Sequence, residues 1–274
     1  MISPPPPPFP LYQGHQLAAN TLPVSGDTPL STAQWVAQNL AFQPDPVQTE
    51  ILDHPAHRLL LNCTRQWGKT TVCAAKALHF ALNHPASTTL VAANCARQSE
   101  TFLAKIHSFL QLLHIPRTPV PGRPASLLLP NRAQIFSLPG HADGIRGFTA
   151  DLLIFDEAAR VPHPLFAALT PSLATTGGPL WLLSTPDGPD NLFYSLWHDE
   201  NAPFARFSVP ASGCPRITPE FLESERLLLG DAAFRQEYFC EFAGTSSTAF
   251  PPDLIDDALD PSLQSLLGDK PLCR

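Results

Sequence analysis

Between residues 59 and 184 the chain repeats one pattern, a short apolar run that ends in a turn, followed in the first two cases by a stretch with helical spacing. Leu59-Leu60-Leu61 predicts a buried strand and Thr70 to Leu82 a helix; Thr89-Leu90-Val91-Ala92 predicts a second strand and Ala96 to Leu113 a second helix. Further strands are expected at Gln134 to Ser137, Leu152 to Phe155 and Leu180 to Ser184, each short, apolar and bounded by turn formers. Apolar runs without alternation belong to strands covered on both faces, as in parallel sheets flanked by crossover helices. The chain therefore reads as α/β, with a mostly parallel sheet and helices on both faces. Ser31 can cap a helix beginning Thr32-Ala33-Gln34-Trp35-Val36, and later helices are expected at Asn191 to Trp197, Pro219 to Leu229 and Ala232 to Phe239.

Three segments follow from composition: a proline-rich leader over 1–30, a folded domain over 31–249 and an acidic tail over 250–274. Prolines number 32, but hydrophobic residues make up 44% and charged residues only 15%, which excludes a disordered polyelectrolyte. The longest apolar runs fall far short of the roughly 20 residues that span a bilayer, so no membrane partner is expected. Met1-Ile2-Ser3 followed by five prolines lacks a basic start and an apolar helix, unlike a secretory signal, and a cytoplasmic location is expected. The 6 cysteines contain no Cys-x-x-Cys pair, giving no framework for zinc or disulfides. With 17 Lys plus Arg against 24 Asp plus Glu, the net charge is −7. Bulk electrostatics will not attract nucleic acid, so any such contact needs a local basic patch.

Cys63-Thr64-Arg65-Gln66-Trp67-Gly68-Lys69-Thr70 lies between the first strand and its helix. There, backbone amides and a helix N-terminus can face phosphates. In a phosphate loop Lys69 reaches the β and γ phosphates and the Thr70 hydroxyl ligates magnesium. Cys63 stands where the first glycine of such a loop is usual. The plain alternative is a basic residue at a helix start.

Leu152-Leu153-Ile154-Phe155-Asp156-Glu157 is an apolar strand ending in two carboxylates. A buried strand is a rigid base for acids aimed at a cleft beyond its carboxyl end. Asp156 would hold magnesium and Glu157 would polarise the water that attacks the γ phosphate. Neighbours on a strand point to opposite faces, so the two acids can divide these roles only where the strand turns into a loop. The alternative is a solvated strand terminus.

Arg65-Gln66-Trp67-Gly68-Lys69-Thr70, Ile145-Arg146-Gly147, Phe155-Asp156-Glu157-Ala158-Ala159 and Leu183-Ser184-Thr185-Pro186, in that order, resemble the ATPase domain of the large terminase subunit of tailed phages. The family's loop is similarly Arg-Gln-x-Gly-Lys-Thr, which accommodates Cys63. The resemblance runs from about Phe42 to Phe250. It implies an ASCE-type P-loop NTPase that binds ATP and Mg2+ and couples hydrolysis to pushing double-stranded DNA into a procapsid. Implied partners are the portal, the small terminase subunit and further copies in a homo-oligomeric ring, in a bacterial or infected host cell; where the family's chain proceeds to a nuclease this one departs from it, and the expectation is either a separately encoded nuclease or a truncated relic.

Residue by residue, the resemblance implies that Arg65, Gln66, Gly68, Lys69, Thr70 and Thr71 contact the nucleotide, with Gln48 at the adenine end. Arg65 would sense the γ phosphate, or else pair with a nearby acid; Gln48 would otherwise be a surface helix glutamine. Ser184 and Thr185 resemble the motif that couples nucleotide state to movement, or form an ordinary turn before Pro186. Arg146 resembles an arginine that approaches phosphate or a neighbouring subunit. Only 24 residues follow Phe250, too few for a nuclease sheet, so Asp253, Asp256, Asp257, Asp260 and Asp269 read as the solvated tail and no nuclease activity is expected.

The rival readings are a catalytically silent prophage remnant or assembly protein that keeps the fold, and a small-molecule kinase, which has no need of Glu157. DNA contact is expected between Glu100 and Asp143, a stretch without acids that carries Arg117, Arg123 and Arg132. Its prolines predict a loop that presents these arginines to a phosphate backbone; the alternative is a solvated loop.

Overall fold

The computed structural model describes residues 30–138, 140 and 147–242. The leader up to residue 29, Arg146 and the acidic tail lie outside the described residues.

Eight strands form a single sheet in the order β3-β4-β5-β2-β6-β7-β1-β8. The six strands β1 (Arg58–Cys63), β2 (Thr88–Ala93), β5 (Gln134–Leu138), β6 (Leu152–Asp156), β7 (Leu180–Ser184) and β8 (Ala205–Val209) run parallel. Antiparallel pairing is confined to β3 (Thr118–Val120) and β4 (Arg123–Leu128) at one edge. The expected mostly parallel sheet is therefore present. Its side chains alternate between two apolar layers, with Leu59, Leu61, Ile154 and Leu183 on one face and Leu60, Leu153, Phe155 and Leu182 on the other. Double-sided burial explains why these strands read as continuous apolar runs.

Helices α1 (Thr32–Asn39), α2 (Pro46–Asp53), α3 (Lys69–Asn83) and α4 (Ala96–Leu112) pack on the first face, and α5 (His163–Leu169) and α6 (Leu192–His198) on the second. Ser31 caps α1 through a capping box with Gln34, and Asp45 caps α2 in the same way with Gln48. An antiparallel pair, α7 (Pro219–Leu229) and α8 (Asp231–Phe239), completes the described chain.

One expectation is corrected. The proline-rich centre of 116–130 is not a loop but the β3–β4 hairpin. Pro119 lies on the sheet's edge strand, where a missing N–H costs no ladder bond. Pro124 precedes Ser126, the first β4 residue paired with β5. The elements α2, α5 and β8 were not expected from the sequence.

Candidate functional site

The rim at the carboxyl ends of β1, β7 and β6 gathers the motif residues. Asn62 pairs with Ser184, and Leu183 with Asp156, so the phosphate loop, the Ser184 turn and the acidic strand end emerge at one level. β7 lies between β1 and β6. The three motifs, far apart in sequence, meet because crossover connections place their strands side by side.

The loop from Thr64 to Gly68 is shaped by two left-handed residues, Gln66 (φ 60°) and Gly68 (φ 99°). A glycine relieves the backbone strain at the second. Gly68 is also the N-cap of α3 and makes no side-chain cap bond, while the first helical amide to bond back is that of Val72, to Gly68 O. The amides of Lys69, Thr70 and Thr71 are therefore open donors at the positive end of a 15-residue helix. Trp67 turns inward and is fully buried in the core, and this pins the loop. Its carbonyl accepts from Gln48 Nε2 at 3.2 Å and from Arg216. Gln48 is buried, not a surface glutamine, and its Oε1 accepts from Asp45 N at 3.0 Å.

Lys69 Nζ lies 2.8 Å from Glu157 Oε1. Burial opposes the ammonium, but the nearby acids, Glu157 first and then Asp156, together outweigh it and raise the Lys69 pKa. Thr70 Oγ1 donates to Asp156 Oδ2 at 3.2 Å, and Glu157 N donates to Asp156 Oδ1 at 3.1 Å. Burial, helped by Glu157, pushes the Asp156 carboxyl up to about 6. Glu157 itself sits at φ 54°, where β6 ends and a 3-10 turn, Ala158–Arg160, begins. That backbone turn frees it from the strand alternation and aims it at Lys69. Ser184 Oγ accepts from Ala159 N at 3.1 Å, joining the Ser184-Thr185 turn to the peptide just beyond Glu157.

Arg65 is half-exposed and forms a two-pronged pair with Glu237 of α8, one prong at 3.3 Å. This hydrogen bond raises the Arg65 pKa. Thr64 Oγ1 also donates to Glu237 O at 3.1 Å. In this structure Arg65 is thus paired with an acid. Arg160 faces Glu157, Asp187 and Glu237. Neither Asp187 nor Arg160 stood out in the sequence, although Arg160 follows Glu157 by three residues, a spacing at which one turn brings side chains together; Glu237 lies in Arg235-Gln236-Glu237-Tyr238, which resembles the end of the family's ATPase domain but carried no expected role at the site.

The three arginines expected on DNA are not brought together. Val120 pairs with Arg123, and Leu128 with both Thr118 and Gln134. Arg117 and Arg132 therefore lie at the end of β4 away from the rim that gathers the motif residues. Arg123 lies at the rim end, roughly 17 Å along the strand. Arg117 bonds to His107, Arg123 stands 5.0 Å over the Phe148 ring, and Arg132 is exposed with φ 66°.

Residues 60–257 match the family described as "Terminase large subunit, T4likevirus-type, N-terminal". The chain belongs to this large-terminase family. The large terminase of Thermus virus P23-45 is 26% identical over 248 aligned residues, covering 77% of this chain and 51% of that protein. The chain thus spans about half the length of the curated large terminases it matches. The large-terminase ATPase domain of Thermus phage P74-26 superposes with a TM-score of 0.68 at 24% identity, covering 78% of this chain and 100% of that one. The large terminase of a thermophilic bacteriophage, solved in complex with ATP-gamma-S, gives a TM-score of 0.60 at 14% identity, over 78% of this chain and 53% of that one. These likenesses extend the P-loop, ASCE-type fold to this chain. Among the described residues no helix is long and apolar enough to cross a membrane.

Proposed function

We propose that the chain is the ATP-hydrolysing motor part of a large terminase and packages double-stranded DNA into a viral procapsid. The observation that carries this reading is the Lys69–Glu157 pair, closed at 2.8 Å over the uncapped N-terminus of α3, with Thr70 and Asp156 3.2 Å apart beside it. Open amides, a lysine and an arginine suit a polyphosphate; a hydroxyl beside a buried carboxylate suits a hard divalent cation.

Lys69 and the amides of Gln66, Gly68, Thr70 and Thr71 would hold the phosphates of ATP, with Gln48 at the adenine end and Arg65 at the γ phosphate. Thr70 Oγ1 and Asp156 would hold Mg2+, which neutralises charge on the phosphates. Glu157 accepts the proton of the attacking water. To do so its Oε1 must leave Lys69, so phosphate binding by Lys69 and release of the base are one event. Ser184 and Thr185 then sense Glu157 through the Ser184–Ala159 hydrogen bond. DNA contact by Arg117, Arg123 and Arg132, assembly into a ring with portal and small terminase subunit and a cytoplasmic site of action complete the proposal. The relative bound to ATP-gamma-S supports the nucleotide.

Steady-state ATP hydrolysis by the purified chain, with and without double-stranded DNA, tests this. DNA-stimulated turnover is the expected result. Nucleotide binding without turnover under either condition would leave the silent assembly protein as the better reading.

A further inference from the structure

We propose that Arg160 is a positioning residue for Glu157, restraining the carboxylate once Lys69 has turned to phosphate and tying its orientation to the loop after Ser184 and Thr185. The inference rests on the ATPase reading above and deepens it.

The two oxygens of Glu157 are held unequally. Oε1 is taken by Lys69, whereas Oε2 has no hydrogen-bond partner among the described residues and faces Arg160 Nη1 at 3.7 Å. A buried carboxylate oxygen without a donor is costly and draws the nearest guanidinium. When Lys69 is transferred to phosphate, Arg160 is the cation left on Glu157. That guanidinium is itself anchored: its Nε lies 3.3 Å from Asp187 Oδ2 and its Nη2 3.7 Å from Glu237 Oε1. Asp187 lies two residues beyond Thr185, so a shift of the Ser184-Thr185 turn moves the anchor. The planar fork of arginine presents Nε, Nη1 and Nη2 to three carboxylates spread around it, where an ammonium would have to meet all three at a single nitrogen.

Arg160 is partly buried, and together with Asp187 it forms part of the wall of a cleft of about 440 Å³, so charge as well as packing holds the side chain. Partly exposed ion pairs of this kind are each worth about 1 kcal/mol or less, and the fold does not depend on them. Orientation of a catalytic base is another matter, since a displacement of about 1 Å can cost on the order of 100-fold in rate.

The test measures kcat and KM for ATP, affinity for ATP-gamma-S and melting temperature in the parent, Arg160→Ala, Arg160→Lys, Asp187→Asn and the Arg160→Ala/Asp187→Asn double variant. Arg160→Ala should lose about 10- to 100-fold in kcat, with KM and ATP-gamma-S affinity within about 3-fold of the parent. Arg160→Lys should recover part of the loss because the charge returns without the fork. Asp187→Asn should lower kcat less, and the double variant should fall no further than Arg160→Ala, because both act through one group. An active parent with an Arg160→Ala kcat within about 2-fold overturns the positioning role alone. So does a loss in which analogue affinity and melting temperature fall with kcat, or one that lysine does not relieve. A parent that hydrolyses no ATP overturns both this role and the reading beneath it.

Discussion

Lys69, Thr70, Asp156 and Glu157 form two pairs, an ammonium with the Glu157 carboxylate and a hydroxyl with the Asp156 carboxyl. The sequence singled out all four, because Lys69 and Thr70 open the helix that follows the first apolar strand and its loop, while Asp156 and Glu157 stand where another apolar strand gives way to a turn. The pairing was not legible, since Lys69 and Glu157 meet only through the order of strands. Lys69→Ala should abolish hydrolysis and weaken nucleotide binding, as it removes the charge facing the phosphates. Glu157→Gln should retain ATP binding and lose turnover, because the amide keeps the size but not the base. Equilibrium binding of ATP-gamma-S beside steady-state hydrolysis distinguishes the two, and binding that fell as far as turnover in Glu157→Gln would make it a structural or metal residue. Burial of Asp156 carries a cost. Its carboxyl is held up at about 6, against 3.8 for an ordinary aspartate. Between these pH values the unfolded chain has lost a proton that the folded chain keeps, so nucleotide-free stability should fall as pH rises across the window and level off above it. Asp156→Asn should therefore stabilise the nucleotide-free chain by up to about 3 kcal/mol at pH 8 and hardly at all at pH 4, while turnover is lost. Urea unfolding at the two pH values checks this, and equal gains at both would assign the effect to packing.

The elements whose sequence carried a single clear period, β1, α3, β2, α4, β6 and β7, were expected within a residue or two of where they lie. Those that escaped had their signal hidden. The β3–β4 hairpin is crossed by prolines that an edge tolerates, β8 is an edge strand with only Val209 buried, and α2 and α5 are short helices whose register owes more to packing than to pattern. Helix α2 matters to the site because Gln48 hangs from it. It is secured from α3 by Lys76, whose Nζ donates to Ile51 O, Leu52 O and His54 O at 2.9, 2.7 and 2.9 Å and lies 5.6 Å from the Trp181 ring centroid. One ammonium thus satisfies the carbonyl end of a whole helix. Lys76→Met keeps the length of the side chain and strands three carbonyls, and should cost about 2–3 kcal/mol of stability. Because Trp67 O is also held by Arg216, the loop should survive, with ATP-gamma-S affinity reduced by less than about 10-fold at 20 °C. A stability loss under about 0.5 kcal/mol would show that water replaces the lysine.

At the scale of the whole molecule, strand order decides what a residue list cannot. A short basic stretch looked like one DNA-facing loop, and in the fold it is a hairpin whose turn and base lie at opposite ends of the sheet edge. Only Arg123 shares the nucleotide rim, about 14 Å across three strand spacings from β6. Arg117 and Arg132 both lie at the far end, ahead of β3 and β5 on either side of β4, about 10 Å apart by two strand spacings, and with a net charge of −7 any attraction for DNA is local to one end or the other. A duplex touched by this chain therefore meets one cluster or the other unless it runs along β4, and substitution of the clusters separately tells which. Each phosphate contact contributes about 0.9 to the slope of log affinity against log salt. If DNA lies at the far end, Arg117→Ala/Arg132→Ala should flatten that slope by about 1.8 and leave Arg123→Ala at the parent value. If it crosses the rim, Arg123→Ala alone should flatten it by about 0.9. Hydrolysis in the absence of DNA should be unchanged in all of these variants. Fluorescence anisotropy of a labelled duplex over a salt series reads the slopes, and parent values in both sets would remove the hairpin from the DNA path.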